Sequence, residues 1–394
     1  MRKCIFLSIV IAFSFKSKAQ YYPYYSTNGQ VLNTITTAVP FVSITSNASQ
    51  FGQGEVGVVA NDYNYQSAMH SNPALLSRGN KIHGASINYT PWLSNLVPNI
   101  KLADAYGFFS VDSNNTIGFK STYFSLGDVV VTNINGNNSS AVKPYEYLIQ
   151  LSYSHNFSKN FSIGISPKYI FSDFINKSYA GANYHYGKSI AADLGLHYRY
   201  KIYQSEKIKI TNNTGLAIQN VGSKMSYNNS GRSDFLPTNL ALGSMITTIY
   251  TVDNTIKLGL DISYEANKLL VPSPGSTYVN YNNGYYNTAG VFQGMLQSFS
   301  DAPGGKQEEW NEVIHKVGTE ARIIFNQDII LAARAGYFYE SKYKGNRKFA
   351  TIGAGITCYG LQLSIANILP VERQSSPLAN TFSFGISYTS GLKF

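Results

Sequence analysis

The stretch FSIGISPKYIFS, from Phe161 to Ser172, decides how the rest of the chain is read. Phe161, Ile163, Ile165, Pro167, Tyr169 and Phe171 share one parity, and Ser162, Gly164, Ser166, Lys168 and Ser172 share the other, with Ile170 as the single exception. Successive side chains of an extended strand point to opposite faces, so one face is apolar and the other small or polar. The end of the chain repeats the pattern: Phe382, Phe384, Ile386, Tyr388, Leu392 and Phe394 stand opposite Thr381, Ser383, Gly385 and Ser387. An amphipathic helix would show a period near 3.6, which neither segment has.

Working outward, the same rhythm predicts strands near 81–91, 101–112, 115–126, 144–157, 160–174, 185–201, 207–221, 235–250, 254–267, 311–326, 329–342, 347–358, 360–369 and 379–394. These are fourteen in number, and an even count suits a closed, single-chain antiparallel barrel. Closure matters in lipid, where the backbone groups of an open sheet edge find no hydrogen-bond partner. The expected fold class is therefore all-β, a transmembrane outer-membrane β-barrel.

Composition agrees with this. Only 13% of residues are charged while 14% are aromatic, including 31 Tyr. A soluble domain carries about 25% charged residues because water meets its whole outside. A barrel shows lipid an apolar band and keeps polar residues in its lumen. Girdles at the two lipid–water boundaries account for many of the tyrosines. No segment beyond residue 19 has about 18 consecutive apolar residues, so helical spans are not expected.

Arg2 and Lys3, the apolar run from Cys4 to Phe15 and the small-x-small site Ser17-Lys18-Ala19 read as an export signal that makes Gln20 the first mature residue. Its apolar run is too short to serve as a spanning helix. Cleavage would leave Cys358 as the one cysteine, so no intrachain disulfide can form. It would also remove four basic and no acidic residues from a formal charge of +10. The remaining excess is spread along the chain without a basic block, which suits loops near anionic headgroups and argues against nucleic acid. The expected organisation is a signal peptide at 1–19, an N-terminal plug segment at 20–80, and a barrel at 81–394 with a long loop at 268–310.

Motifs for chemistry are weak. Gly52, Gly54 and Gly57 match G-x-G-x-x-G, but no strand precedes them and Asn61-Asp62-Tyr63-Asn64 is turn-like, so a Gly-rich turn in the plug is the better reading. His70, His83, His155, His185, His197 and His315 have no metal-ligand spacing and are expected to be solvated lumen or rim residues. No G-x-S-x-G elbow is present. Neither a catalytic site, a cofactor nor a metal is expected. The cluster Lys306, Glu308, Glu309, Trp310 and Glu312 reads as a solvated face, or else as a recognition loop anchored by Trp310.

Specific residues add a family. Asn33 to Phe41 (NTITTAVPF), Gly54 to Val58 (GEVGV) and Asn72-Pro73-Ala74 resemble the PorV family of type IX secretion, itself related to the FadL fatty-acid transporters. Further matches are Tyr89 to Leu93, Tyr123 to Gly127, Lys268 to Pro272 with Pro274, and Ser298 to Gly305. Arg334 to Glu340, Lys344 to Lys348 and Pro377 to Thr381 complete the set in family order. The chain departs from the family at Ser46 to Ser49, where an acidic residue followed by Ala-Arg is usual. It departs again at Ser71, where an aromatic is common, and in the long Tyr- and Asn-rich region 273–297.

The resemblance implies a fourteen-stranded barrel with an N-terminal plug. It implies a non-catalytic carrier that takes cargo bearing a C-terminal signal domain from the outer-membrane translocon to an attachment complex with a PorU-like sortase. The residues it points to for partner contact are Asp301, Pro303, Gly304, Gly305 and Trp310, with Asn72, Pro73 and Ala74 as a plug motif. The alternative is FadL-like transport of a hydrophobic small molecule. An enzymatic role ranks third, because no nucleophile–base pair accompanies the family's link to lipid A deacylation.

Overall fold

The computed structural model describes residues 34–391 apart from 65–67, 80, 94–96, 98, 133–137, 175–177, 180–181, 184, 229–231, 274–277, 282–283, 327 and 372–377. The export signal, Asn33, Pro274, Pro377, Leu392 and Phe394 lie outside the described residues.

Fourteen antiparallel strands close a barrel. They are β1 (His83–Thr90), β2 (Ile100–Ser110), β3 (Asn115–Leu126), β4 (Tyr145–Asn156), β5 (Phe161–Asp173), β6 (Gly187–Gln204) and β7 (Ile208–Gly222). The second half comprises β8 (Asn239–Thr251), β9 (Ile256–Leu269), β10 (Val313–Phe325), β11 (Ile329–Tyr339), β12 (Lys348–Cys358), β13 (Leu361–Pro370) and β14 (Phe382–Ser390). Each expected strand is present, with ends shifted by a few residues. Closure is made by β14 against β1, in register from His83 opposite Ser390 to Tyr89 opposite Phe384. No helix among the described residues is long and apolar enough to cross a membrane.

The connections alternate in length, which orients the barrel. Turns at 111–114, 157–160, 205–207, 252–255, 326–328 and 359–360 are short, and the other end carries the long loops, up to 270–312. Short turns belong to the periplasmic side and long loops to the cell surface. The loop at 270–312 is not irregular throughout: it holds the helices α3 (Val291–Gln297) and α4 (Lys306–Asn311).

The parity of β5 holds. Ile165 is exposed to the lipid side, while Ser162, Ser166, Lys168 and Ser172 are buried in the lumen. Ile170, which broke the alternation, is fully buried on the lumen side. It belongs to a cluster with the lumen-facing Leu102, Phe124, Leu148, Phe338, Phe349 and Ile368, all near the loop ends of their strands. Leu102 pairs with Phe124, Leu148 with Ile170, and Phe338 with Phe349, so breaks in alternation on neighbouring strands fall side by side. Together they make an apolar collar inside an otherwise polar lumen.

The collar grips the N-terminal segment. Phe41, Val42 and Phe51 are buried against it, and the Phe41 ring stacks on Phe124 with centroids 5.9 Å apart. Burying one such side chain stabilises by about 1.5–3 kcal/mol. Below Phe41 the chain makes the short helix α1 (Ala48–Phe51), started by Asn47, whose side chain accepts from the amides of Ser49 and Gln50. It then passes through α2 (Ala68–Ser71) and a 3-10 turn from Pro73 to Arg78 before entering β1.

Candidate functional site

Glycines on both partners let the plug backbone touch the wall. Gly54, at φ +65, lies against the backbone of Tyr337 and Val317, in a conformation that favours glycine. Its amide donates to Thr351 Oγ1 at 2.9 Å. Gly52 meets Gly353 on β12. The glycine spacing in this segment therefore answers to backbone packing.

Beyond the glycines, the plug bonds to charges on β9 and β10, which are themselves paired with one another and with β11. Glu320 is fully buried and accepts from Arg322 Nη1 and Arg334 Nε, each at 2.5 Å. Arg322 also pairs with Asp261. Asn61 Nδ2 donates to Asp261 Oδ2 at 2.7 Å and to Glu320 Oε1 at 2.8 Å, and Asn64 Nδ2 donates to Glu320 Oε2 at 2.8 Å. Each buried charge has an opposite charge and hydrogen bonds, as a low-dielectric interior requires. Nearby, Glu265 Oε2 accepts from the amides of Gly57 at 2.7 Å and Val58 at 2.8 Å.

Asn72-Pro73-Ala74 is a second fastening. The Asn72 side chain accepts from the Ala74 amide at 3.0 Å and donates to Val58 O at 2.9 Å and Leu196 O at 3.1 Å. One buried amide thus starts the 3-10 turn, ties two plug segments together and joins them to β6. Pro73 and Ala74 press on Gly164 of β5, where a Cβ would lie 2.4 Å from the Pro73 carbonyl carbon. Asn72→Ala strands a buried carbonyl and removes a cap, so chemical unfolding in detergent is expected to show a loss of about 2–3 kcal/mol.

The histidines divide. His185 is exposed, but His197 is buried and His70 half-buried, contrary to the solvated positions expected for them. His70, on the plug, meets the wall at Lys120, whose Nζ is 2.9 Å from its Nδ1. Burial first, then the charges of Lys120, Lys168 and Lys316, hold its pKa well below the usual histidine value. Among the described residues no cluster of three or more His, Cys, Asp and Glu side chains is placed to hold a metal.

On the loop side the charged cluster is not the solvated face expected of it. Lys268 Nζ, at the end of β9, donates to Glu309 Oε2 at 2.9 Å and Glu312 Oε2 at 2.6 Å. Lys344 Nζ donates to Glu308 Oε1 at 2.6 Å and Glu312 Oε1 at 2.9 Å. Asp301 Oδ2 accepts from the Ser273 amide at 3.0 Å, and Glu309 Oε1 from the Ala302 amide at 2.7 Å. These carboxylates clamp the loop onto the barrel rim. Lys268→Met leaves Glu309 without its ammonium partner, and limited proteolysis on intact cells is expected to cut within 298–312 several-fold faster than in the parent.

The clamp separates the candidate contact residues. Asp301 is buried and structural, while Gly304, Gly305 and Trp310 are exposed and Pro303 is half-buried. Trp310, 63% exposed, has its ring 5.6 Å from that of His315, which in turn meets Tyr264 and Tyr339 on the outer rim. Indole in such a company suits the lipid–water boundary. Sequence reading passed over an exposed apolar group on the long loop. Gly294 of α3 packs on Phe235, and on the opposite side of that helix Phe292 and Leu296 are 74% and 72% exposed, with Phe299 just beyond. Their signal was the four-residue spacing of Phe292 and Leu296, in a region too rich in Tyr, Asn and Gly to suggest a helix.

A protein-family profile described as "Type IX secretion system protein PorV" matches residues 26–276. No curated protein matches the chain. Among solved structures, the Pseudomonas putida toluene transporter TodX is similar at TM-score 0.46 and 10% identity, covering 88% of this chain and 98% of that one. The Ralstonia pickettii toluene transporter TbuX is similar at TM-score 0.42 and 10% identity, with coverage of 88% and 98%. A Pseudomonas aeruginosa FadL homologue is similar at TM-score 0.40 and 10% identity, with coverage of 91% and 99%.

Proposed function

This chain belongs to the PorV family, outer-membrane components of type IX protein secretion, and from that premise we propose that it is a non-catalytic carrier of secreted proteins. In this reading it receives cargo through the C-terminal signal domain at the translocon and passes it to a surface attachment complex with a PorU-like sortase. The observation that carries the reading is the division of the molecule. A barrel closed around a tightly bonded plug anchors it in lipid, and the long loops hold an exposed apolar surface on a clamped base. Loops on a rigid scaffold are where binding residues concentrate. The contact surface proposed is Phe292, Leu296 and Phe299 with Gly304 and Gly305; Trp310 anchors the loop at the membrane boundary.

Affinity purification from detergent-solubilised membranes tests this. The parent protein is expected to recover translocon components and proteins with such signal domains. A Phe292→Ser, Leu296→Ser double variant is expected to reach the membrane in normal amount yet recover several-fold less of both. Recovery of neither by the parent protein defeats the carrier reading. Transport of a hydrophobic small molecule through the lumen is the rival. The ion-paired floor of Asp261, Glu320, Arg322 and Arg334 weighs against it, since an apolar solute would have to cross charged groups. A deletion strain with normal cargo export but impaired hydrocarbon uptake reverses the ranking.

A further inference from the structure

A cavity of about 360 Å³ lies between the plug and the loops. Four carboxylates line it: Glu55, Glu265, Glu312 and Glu340. Three of them have cations of the same lining, Lys316 at 3.2 Å from Glu265, Lys344 at 2.9 Å from Glu312 and Arg347 at 2.9 Å from Glu340. Glu55 is left over. Among the described residues its carboxylate makes no hydrogen bond or ion pair, and Lys316 Nζ reaches its backbone carbonyl instead, at 3.1 Å.

The backbone makes this acid more unusual. Glu55 sits at φ 64, directly after Gly54 at φ 65. A left-handed conformation is strained for a residue with a Cβ, and such strain collects at ligand sites. Glycine would relieve it, yet a glutamate stands there and its side chain faces the cavity. His70, also in the lining, supplies no charge, since burial and three lysines hold its pKa well below the usual value, and Lys316 and Arg347 act on Glu55 only from beyond ion-pair distance. Burial raises the Glu55 pKa, with Lys316 and Arg347 opposing that rise and Glu265 and Glu340 adding to it. An arriving cation would replace the missing partner.

The rest of the lining describes what would carry that cation. Val42, Ile44, Trp92 and Phe338 form an apolar wall. Trp92, Pro237 and Gly345 come from the surface-side loops. We propose that this cavity binds a small organic cation, an amine whose ammonium pairs with Glu55 and whose apolar body lies along that wall. The site is separate from the loop surface assigned to secretion and does not depend on that assignment.

The test uses the full-length protein in detergent, titrated by calorimetry with 2-phenylethylamine and with its neutral counterpart 2-phenylethanol. The amine is expected to saturate and to bind at least about tenfold more tightly than the alcohol, a preference of about 1.4 kcal/mol. Glu55→Gln, of nearly the same shape, is expected to lose that preference. Equal affinities in the parent protein overturn the proposal, as does absence of saturable amine binding up to about 10 mM, a limit set by weak single-contact affinities. Retention of the preference in a folded Glu55→Gln protein overturns it too. The amine–alcohol comparison needs no variant, so a misfolded Glu55→Gln leaves the proposal open to refutation.

Discussion

Glu320→Ala is expected to lower stability by about 3–5 kcal/mol, because it leaves buried cations without their shared carboxylate. Arg334 loses the bond from its Nε, Arg322 keeps only Asp261, and Gln53, Asn61 and Asn64 each lose one bond to the vacated carboxylate. The measurement is urea unfolding in detergent, followed through the two tryptophans, of which Trp92 is buried in the collar. Removing the stranded partner as well, in a Glu320→Ala, Arg334→Met double variant, is expected to recover part of the loss. If the double variant is as unstable as the sum of both single variants, the two side chains are not coupled as their 2.5 Å contact implies. The same bonds hold the plug, so Glu320→Ala barrels in liposomes are expected to admit small sugars faster than parent barrels.

Gly336→Leu is expected to act earlier, at assembly. A Cβ at this position would stand 2.0 Å from the Gly54 nitrogen and 2.2 Å from the Gln53 carbonyl carbon. Both are backbone atoms inside a bonded plug, so no side-chain rotation can make room. The plug must leave the wall there, and the bond from the Gly54 amide to Thr351 goes with it. The expected outcome is an outer-membrane level reduced several-fold, with little of the compact, fast-migrating form on unheated gels. Gly107 is the control, since a Cβ there meets nothing closer than the Gly84 carbonyl oxygen at 3.5 Å. Gly107→Ala is expected to change stability by no more than about 0.5 kcal/mol, as surface substitutions usually do. Equal loss of both proteins would show that strand glycines matter here for flexibility and not for close approach.

These two positions show how differently parts of the chain can be read in one dimension. The barrel was legible because its determinant is local: each strand repeats a two-residue period, and lipid enforces it on every strand independently. Ile170, Phe124 and Phe338 spoil that period in the sequence and look like noise. Only the register, which sets neighbouring strands side by side, turns them into one collar. The loop at 270–312 was read less well. Its glutamates looked solvated because their partners, Lys268 and Lys344, lie up to 44 residues away and approach only once the loop has folded back. Phe292 and Leu296 were missed because a seven-residue helix carries too few turns for a periodic signal.

By itself, then, the sequence determined the strand count, the face each strand residue takes, the closure of the sheet and the family, since each depends on short-range pattern or residue identity. The tertiary structure alone decided which charges neutralise one another, which glycines receive the plug, and that Glu55 is, among the described residues, the cavity acid left without an ion pair. Those properties are sums over residues brought together from distant positions, and no local period encodes a sum of that kind.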